Sequence, residues 1–160
     1  LQGDKAILPI LQRMGAKLEE GPESLTIHPS SLHGIRIDAS DCPDLVPILS
    51  VAAALAKGTT EIIHAERLRL KECDRLKAMA SELTKMGAHV EERPDGLIIR
   101  GVPMLHGAGA DSWNDHRVAM SLAIAATRSD GPVILTGSES VQKSYPQFWQ
   151  DYESLGGKIK

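Results

Sequence analysis

Residues 44–57 read Asp-Leu-Val-Pro-Ile-Leu-Ser-Val-Ala-Ala-Ala-Leu-Ala-Lys, and 71 positions later (115 − 44) residues 115–128 read Asp-His-Arg-Val-Ala-Met-Ser-Leu-Ala-Ile-Ala-Ala-Thr-Arg. Each segment starts with an aspartate, continues as a largely apolar run with several alanines, and is followed by a glycine and a β-rich run. Such apolar runs indicate helices that are buried on most sides. The repetition therefore predicts two equivalent buried helices.

A second type of helix also recurs. A methionine or leucine followed by glycine ends three similar segments, with spacings of 72 (86 − 14) and 69 (155 − 86) residues, at Met14, Met86 and Leu155. The glycine stands where the end of a helix takes a left-handed residue, and a strand is expected to follow. Self-similarity at a fixed period indicates supersecondary units that stack on one another.

The hydrophobic pattern between these helices places the remaining elements. A third helix is predicted from about Glu72 to Met86, beside the helices at 45–57 and 116–128. Strands are predicted at 17–20, 25–28, 35–39, 59–65, 89–92, 96–100 and 133–136. We therefore predict an α/β (α+β) layered fold of about two full units and a partial one, with residues 1–160 in one domain.

Composition limits the class of protein. The chain has 160 residues, 42% of them hydrophobic and 24% charged, with a net charge of −3, which is typical of a soluble globular protein and disfavours nucleic acid or an acidic membrane as partner. Cys42 and Cys73 suggest no disulfide framework, so we expect a reduced, cytoplasmic setting. The sequence begins without methionine, and we expect it to be a piece of a longer protein.

Charged residues are concentrated in the segment Arg69-Leu-Lys-Glu-Cys-Asp-Arg75, which holds three cations and two carboxylates. We place this segment at the N-terminus of the third helix, where unpaired backbone N–H groups attract anions. Lys71 and Arg75 are four residues apart and would share a helix face, so we expect a phosphate or carboxylate ligand between them. Glu72 could then handle a proton.

The other predicted helix starts are polar as well. In a stack of similar units these starts fall on one side, which predicts a single site with cations and proton-handling groups. The cations are Lys71, Arg75, Arg117 and Lys143, and the proton-handling groups are Asp44, Glu72, Asp115 and His116. This set suits transfer chemistry on anionic substrates.

Each of these residues also has a simpler interpretation. Asp44 and Asp115 are good helix N-caps, His116 could merely bond a carboxylate, and Lys143 could be solvated. Six histidines without metal-ligand spacing and two distant cysteines predict no metal site, and no nucleotide-binding loop is present. Cys73 is expected to be a helix-packing thiol, with a pKa that neighbouring cations would lower if it is exposed.

Three motifs resemble the 5-enolpyruvylshikimate-3-phosphate synthase family: Arg-Leu-Lys-Glu-Cys-Asp-Arg-Leu at 69–76, Asn-Asp-His-Arg-Val-Ala-Met at 114–120 and Lys-Ser-Tyr-Pro at 143–146. The segments Gln2-Gly-Asp4, Pro43-Asp44 and 56–59 are similar to further signatures in the same order. The resemblance covers essentially the whole chain. It implies repeated β-α-β-α-β-β units of the enolpyruvyl transferase fold, and a chain that corresponds to the C-terminal third or so of the enzyme.

The resemblance also implies a reaction and residue roles. The family transfers the enolpyruvyl group of phosphoenolpyruvate to the 5-hydroxyl of shikimate 3-phosphate and releases phosphate, in aromatic amino-acid synthesis, without a cofactor. Glu72 would shuttle a proton at the methylene carbon, supported by His116. The implied substrate ligands are Asp44, which would also accept a proton, Lys71 for shikimate 3-phosphate, and Arg75, Arg117 and Lys143 for phosphoenolpyruvate.

Other implied ligands lie in an N-terminal part that this chain lacks, so we expect the chain alone to show no measurable turnover. Arg67 stands where many relatives carry an asparagine, and we assign it no contact. Two alternatives remain open. One is a fragment of the sister enzyme that acts on UDP-N-acetylglucosamine, whose counterpart helix lacks the Lys-Glu-x-Asp-Arg opening. The other is a non-catalytic repeat module.

Overall fold

The computed structural model describes residues 3–160, and Gln2 lies outside the described residues. Five α-helices and eight strands follow one another in the described chain. They are α1 Ile7–Arg13, β1 Lys17–Glu20, β2 Leu25–His28, β3 Arg36–Asp38, α2 Val46–Ala54, β4 Thr59–Ile63, α3 Arg75–Lys85, β5 His89–Arg93, β6 Gly96–Arg100, β7 Gly109–Asp111, α4 His116–Ala126, β8 Ile134–Thr136 and α5 Phe148–Ser154. Short 3-10 helices lie at Gly3–Ala6, Pro43–Leu45, Glu66–Leu70 and Ser138–Lys143.

The central unit runs from β3 to β6 and has the order β-α-β-α-β-β. Its four-stranded sheet has the order β3-β4-β6-β5, in which β3 and β4 are parallel and the other neighbours are antiparallel. The apolar sides of α2 and α3 cover one face, where Ile62, Leu97 and Ile99 are buried. Alternation along β4 and β6 thus places one row of side chains in the core.

The predicted repetition is confirmed by strand register. Asp38 of β3 pairs with Ile63 of β4, and 73 residues later (111 − 38, 136 − 63) Asp111 of β7 pairs with Thr136 of β8. The chain holds one complete unit, preceded by α1-β1-β2 and followed by β7-α4-β8-α5. We expected about two full units and a partial one. The structure has one complete unit between two incomplete ones.

The three helix ends have the predicted glycine conformation, and a strand follows the first two, whereas the strand expected after Gly156 is absent from the described residues. Gly15, Gly87 and Gly156 have φ angles of 99°, 86° and 99°, so each takes the left-handed conformation that ends its helix.

The incomplete units leave apolar side chains exposed to solvent. Leu25 and Ile27 of β2 are 41% and 64% exposed, whereas their equivalents 72 residues later (97 − 25, 99 − 27) are fully buried in β6.

Two predicted helix starts are wrong. The helix expected from Glu72 begins at Arg75, because the Asp74 side chain caps it by accepting a hydrogen bond from the Lys77 amide at 3.0 Å. Lys71 has an extended backbone, so it lies in the connection before the helix. The helix expected at 45–57 starts as the 3-10 turn Pro43–Leu45 and is α-helical only over α2, so Asp44 is not its N-cap.

The strand predictions are confirmed within two residues at each end, and β7 was missed. That strand has three residues, Gly-Ala-Asp, and none of them favours a strand by itself. Its parallel pairing with β8 fixes it. Among residues 3–160, no helix is both long and apolar enough to cross a membrane.

A glycine in the central sheet gives a test of this packing. A Cβ atom on Gly96 would lie 1.9 Å from the Ile62 carbonyl oxygen, a backbone atom that cannot move without breaking the β4–β6 pairing. We expect Gly96→Ala to lower the free energy of unfolding by about 2–3 kcal/mol in urea denaturation. The matched control is Gly109→Ala, because nothing lies within 4 Å of its Cβ position. An equal loss in both variants would contradict the close approach.

Candidate functional site

The helix starts meet on one side of the fold, as the repetition predicts. Residues from four separate segments form two adjoining clusters, one around the Asp44 carboxylate and one around the Glu72 carboxylate. Seven of the eight residues predicted for the site belong to these clusters: Asp44, Lys71, Glu72, Arg75, His116, Arg117 and Lys143. The eighth, Asp115, binds Arg75. The predicted convergence is therefore present.

Three cations surround Asp44. Its Oδ1 lies 3.2 Å from Lys71 Nζ and 2.8 Å from Arg75 Nη1, and its Oδ2 lies 3.8 Å from Arg117 Nη2. Partial burial would raise the pKa of Asp44, but the hydrogen bond from Lys71 and the three positive charges outweigh it and hold the pKa below its usual value. This carboxylate thus supplies a negative charge between Lys71 and Arg75, which was not predicted from the sequence.

Arg75 and Asp115 form a buried ion pair. Arg75 Nε lies 2.7 Å from Asp115 Oδ2, and the two side chains are 3% and 0% exposed. Asp115 also caps α4, because its Oδ1 accepts hydrogen bonds from the amides of Arg117 at 2.8 Å and Val118 at 3.3 Å. The pair therefore joins the start of α3 to the start of α4. Asp115 is confirmed as an N-cap, and Arg75 is not a surface residue.

The second cluster surrounds Glu72. His116 Nδ1 lies 3.0 Å from Glu72 Oε1, without the alignment of a hydrogen bond, and Lys143 Nζ lies 3.5 Å from Oε2. Lys143 also donates a short hydrogen bond to the Asn114 carbonyl oxygen. Glu72 is therefore flanked by two groups that carry or can take a proton, as a carboxyl group that exchanges protons requires.

The cations differ in how far a ligand can reach them. The side chains of Lys71, Arg117 and Lys143 are 37%, 30% and 41% exposed, whereas Arg75 is nearly enclosed. A cavity of about 400 Å³ opens beside Asp44 and Arg117 and is lined also by Asp4 and Asp41. Another, of about 380 Å³, lies around β5 and β6 and contains none of the predicted site residues. An anionic ligand could therefore reach the three partly exposed cations more easily than it could reach Arg75.

The site is poorly suited to a divalent cation. Ligand atoms of Glu72, Asp115 and His116 lie within 4.8 Å of one another. However, Arg75 and two backbone amides already occupy the oxygens of Asp115, and the Lys143 ammonium faces Glu72. A metal ion would have to displace these donors, so the donor set favours anion binding.

Cys73 is a packing thiol, as predicted, and it is not exposed. Burial and the Asp115 carboxylate, 3.8 Å from its Sγ, outweigh Arg75 and raise the pKa of Cys73 to about 12, so the lower pKa expected of an exposed thiol does not arise. Cys73 is therefore an unreactive thiol, packed against the core in the connection before α3.

Sequence reasoning missed three contributors: Glu82, Trp113 and the carbonyl of Asn114. Glu82 is fully buried and accepts a hydrogen bond from Trp113 Nε1 at 2.9 Å. A signal existed, because Glu82 lies on the apolar side of α3 with Met79 and Met86, where a charge needs a partner. The role of the Asn114 carbonyl left no trace in the sequence, because backbone atoms are common to every residue.

The fold consists of repeated units of the β-α-β-α-β-β type, and their helix starts bring carboxylates and cations together. This combination defines a class of repeat proteins with a charged cluster at the helix starts. The family model described as EPSP synthase (3-phosphoshikimate 1-carboxyvinyltransferase) matches residues 1–152. The chain belongs to the EPSP synthase family, which confirms the resemblance and the predicted fold class.

Named relatives agree with this assignment. The chain is 58% identical to a 3-phosphoshikimate 1-carboxyvinyltransferase of Clostridium novyi (strain NT) and 59% identical to one of Clostridium acetobutylicum, each over 99% of this chain and 37% of the relative. A solved EPSP synthase structure from Acinetobacter baumannii has a TM-score of 0.86 at 33% identity, over 96% of this chain and 39% of that one. The chain thus spans about 37% of the length of the curated relatives that it matches.

The buried ion pair gives a stability prediction. Arg75→Met would leave the fully buried Asp115 carboxylate without its cation, so we expect the free energy of unfolding to fall by about 3–5 kcal/mol in urea denaturation. The control is Arg117→Met, because that side chain is partly exposed, and its loss should cost less than about 1 kcal/mol. Similar costs for both variants would show that the Arg75–Asp115 pair is not special.

The low pKa of Asp44 gives a pH prediction. Since the folded-state pKa lies below the unfolded value of about 3.9, the stability contributed by Asp44 is present above that pH and is lost as pH falls through the folded-state pKa. Arg117→Ala should raise the pKa of Asp44 toward its usual value in a carbon-13 NMR titration, because one nearby charge is removed. Arg128→Ala, in the turn after α4, should leave it unchanged. A pKa unaffected by Arg117→Ala would refute the coupling.

Proposed function

We propose that this chain is part of one domain of an enzyme that transfers the enolpyruvyl group of phosphoenolpyruvate to the 5-hydroxyl of shikimate 3-phosphate and releases phosphate. The enzyme would act in aromatic amino-acid biosynthesis in the cytoplasm, without a cofactor. The observation that carries the proposal is the meeting of two carboxylates, Asp44 and Glu72, each faced by cations from other segments. The family supplies the reaction, and the clusters supply groups suited to it.

The exposed cations would bind the anionic groups of the substrates. Lys71 is assigned to shikimate 3-phosphate, and Arg117 and Lys143 to phosphoenolpyruvate, whose phosphate and carboxylate are matched by a guanidinium fork and a point charge. Arg75 is also assigned to phosphoenolpyruvate. Among the described residues, Asp115 binds its Nε and Asp44 binds its Nη1, so only its Nη2 would be free for this contact.

Glu72 would handle the proton at the substrate carbon. Protonation of the methylene carbon makes the adjoining carbon electrophilic toward the hydroxyl, and removal of that proton after the addition lets phosphate leave. His116 at 3.0 Å and Lys143 at 3.5 Å face the Glu72 carboxylate and would hold it in position. The residues are thus placed for repeated proton transfer by one carboxyl group.

Asp44 would accept the proton of the 5-hydroxyl and bind the shikimate ring. In the unliganded chain this carboxylate is a weak base, because three cations lower its pKa. Anionic substrates that bind Lys71 and Arg117 would offset these charges and raise its pKa, which makes Asp44 a better base when it is needed. Substrate binding and base strength are coupled in this way.

The rest of the longer enzyme would supply the remaining ligands. The matched relatives are more than twice as long as this chain, which covers 37% of them. The described site has only three partly exposed cations for two substrates that together carry two phosphates and carboxylates. We therefore propose that residues 1–160 form the C-terminal part of one domain and that this part alone shows no measurable turnover.

Two alternatives are less well supported. A fragment of the enzyme that acts on UDP-N-acetylglucosamine would lack the Lys71-Glu72 opening, which here contributes to both carboxylate clusters. A non-catalytic repeat module has no need for a partly exposed Glu72 that lies between an imidazole and an ammonium group. Neither alternative accounts for the arrangement as simply as the transferase does.

The proposal can be tested by NMR titration of the chain with phosphoenolpyruvate and shikimate 3-phosphate. We expect chemical-shift changes in 71–75, 114–117 and at Lys143, because these groups face the ligand, and weak affinity, because part of the site is missing. A coupled assay of the same sample should detect no phosphate release.

Matched variants sharpen this test. Arg117→Ala should weaken phosphoenolpyruvate binding about tenfold or more, since a charge-assisted hydrogen bond contributes roughly 1.5–3 kcal/mol. Arg128→Ala removes an exposed arginine after the same helix and should bind as the wild type does. Shift changes confined to residues outside the two carboxylate clusters, or full-rate catalysis by the chain alone, would overturn the proposal.

A further inference from the structure

A buried carboxylate lies beside the site without belonging to either cluster. Glu82 of α3 has no exposed surface, and its oxygens accept hydrogen bonds from Trp113 Nε1 at 2.9 Å, from the Asp111 amide at 3.0 Å and from Lys85. Such a carboxylate is kept in place only when every acceptor site has a donor. Two of the donors belong to the segment that leads into α4.

That segment has an unusual backbone. Trp113 and Asn114 have φ angles of 54° and 53°, so two consecutive residues with side chains take the left-handed conformation. This conformation is unfavourable for a bulky residue such as tryptophan and persists only where the surroundings impose it. The Ser112 hydroxyl accepts a hydrogen bond from the Asn114 amide at 3.1 Å, and the Glu82 carboxylate holds the indole.

The preceding unit offers an internal comparison. Ser40 and Asp41 are the equivalents of Trp113 and Asn114, 73 residues earlier (113 − 40, 114 − 41), and the amide of Ser40 bonds the Asp38 carboxylate as the amide of Trp113 bonds its own strand-end aspartate. Neither Ser40 nor Asp41 has a positive φ. The earlier turn is also two residues longer, because the offset is 73 at Asp38 and 71 at Asp44. The left-handed pair therefore occurs in the shorter turn, the one whose indole is bound, and not in the longer turn that carries a serine.

The two turns have different consequences for the helices that follow. After Asp41 the chain forms the 3-10 turn Pro43–Leu45 before α2 begins, whereas α4 begins at once at His116 with Asp115 as its N-cap. The immediate start places His116 and Arg117 in the first helical turn. It also turns the Asn114 carbonyl toward the Lys143 ammonium.

Packing alone does not require a carboxylate at this position. Met14 and Met86 both accept a hydrogen bond from the histidine that precedes the next unit, so α1 and α3 occupy equivalent places. Ile10, which is 72 residues before Glu82 (82 − 10), is 7% exposed and fills the corresponding position with an apolar side chain. The junction between units can thus be packed without the charge, which sets the Glu82–Trp113 bond apart from packing.

We propose that Glu82 and Trp113 are positioning residues for the site: their hydrogen bond holds residues 113–114 in the left-handed conformation that presents His116, Arg117 and the Asn114 carbonyl. This inference rests on the proposed function of the site. The hydrogen bonds of the Glu82 and Trp113 side chains within residues 3–160 go to Lys85, to Asp111 and to each other, so both residues would act through the start of α4. The geometry of the anion site therefore depends on a contact between two units.

The test compares three variants of the whole chain. Trp113→Phe keeps an aromatic ring and removes the indole donor, and we expect phosphoenolpyruvate affinity to fall about tenfold, the effect of one hydrogen bond to a charged group. Trp113→Phe combined with Asn114→Gly should recover most of this affinity, because glycine takes the left-handed conformation freely. The matched control is Tyr152→Phe, which removes a hydrogen bond from an aromatic ring to the middle of α4 and should bind as the wild type does.

A second readout needs no ligand. In Trp113→Phe, the amide resonances of 114–117 and the side-chain resonance of Lys143 should shift, and they should return in the double variant. Unshifted resonances and wild-type affinity in Trp113→Phe, or a double variant no better than the single one, would overturn the inference. If the wild-type chain itself does not bind phosphoenolpyruvate, the proposed function fails, while the unliganded resonances still decide the positioning role.

Discussion

The contact between the Arg75 guanidinium and the Asp115 carboxylate is the interaction on which the site depends. Both groups are almost fully buried, so removal of either would leave a buried charge without its partner. Asp115 is at the same time the N-cap of α4, and Arg75 opens α3 and reaches Asp44. One ion pair thus fixes the relative position of helix starts from successive units, and the exposed cations take their places around it.

Much of the fold could be predicted because equivalent segments of a repeat have similar structures. Local sequence patterns predict the left-handed glycines after α1, α3 and α5 and the strands of the central unit. These patterns recur wherever the chain repeats. The starts of α2 and α3 could not be predicted in the same way. Lys71 reaches Asp44 from an extended connection, and the spacing of four residues that suggested a shared helix face only coincidentally brings Lys71 and Arg75 to the same carboxylate.

The membership of the site was easier to predict than its internal order. Residue types at helix starts indicated which groups converge, since stacked units place equivalent ends together. The partners were not predictable, because they depend on contacts between segments 31 to 73 residues apart, such as Asp44 with Arg75 and Arg117. For the same reason the Asp44 carboxylate that lies between Lys71 and Arg75 was not predicted. The positive charge of these residues is therefore already neutralised in part by the protein itself.

The difference between the two junctions also bears on how the chain finds its fold. Units of such similar sequence compete for the same neighbours during folding, and exchange of equivalent elements is a characteristic error of repeat proteins. Glu82 faces an indole donor at its own junction, whereas the equivalent turn of the other junction carries Ser40 in place of that indole. A helix docked on the wrong neighbour would bury its carboxylate without that donor, at a cost in free energy that the correct arrangement avoids. The same pair of side chains thereby distinguishes correct from exchanged unit order.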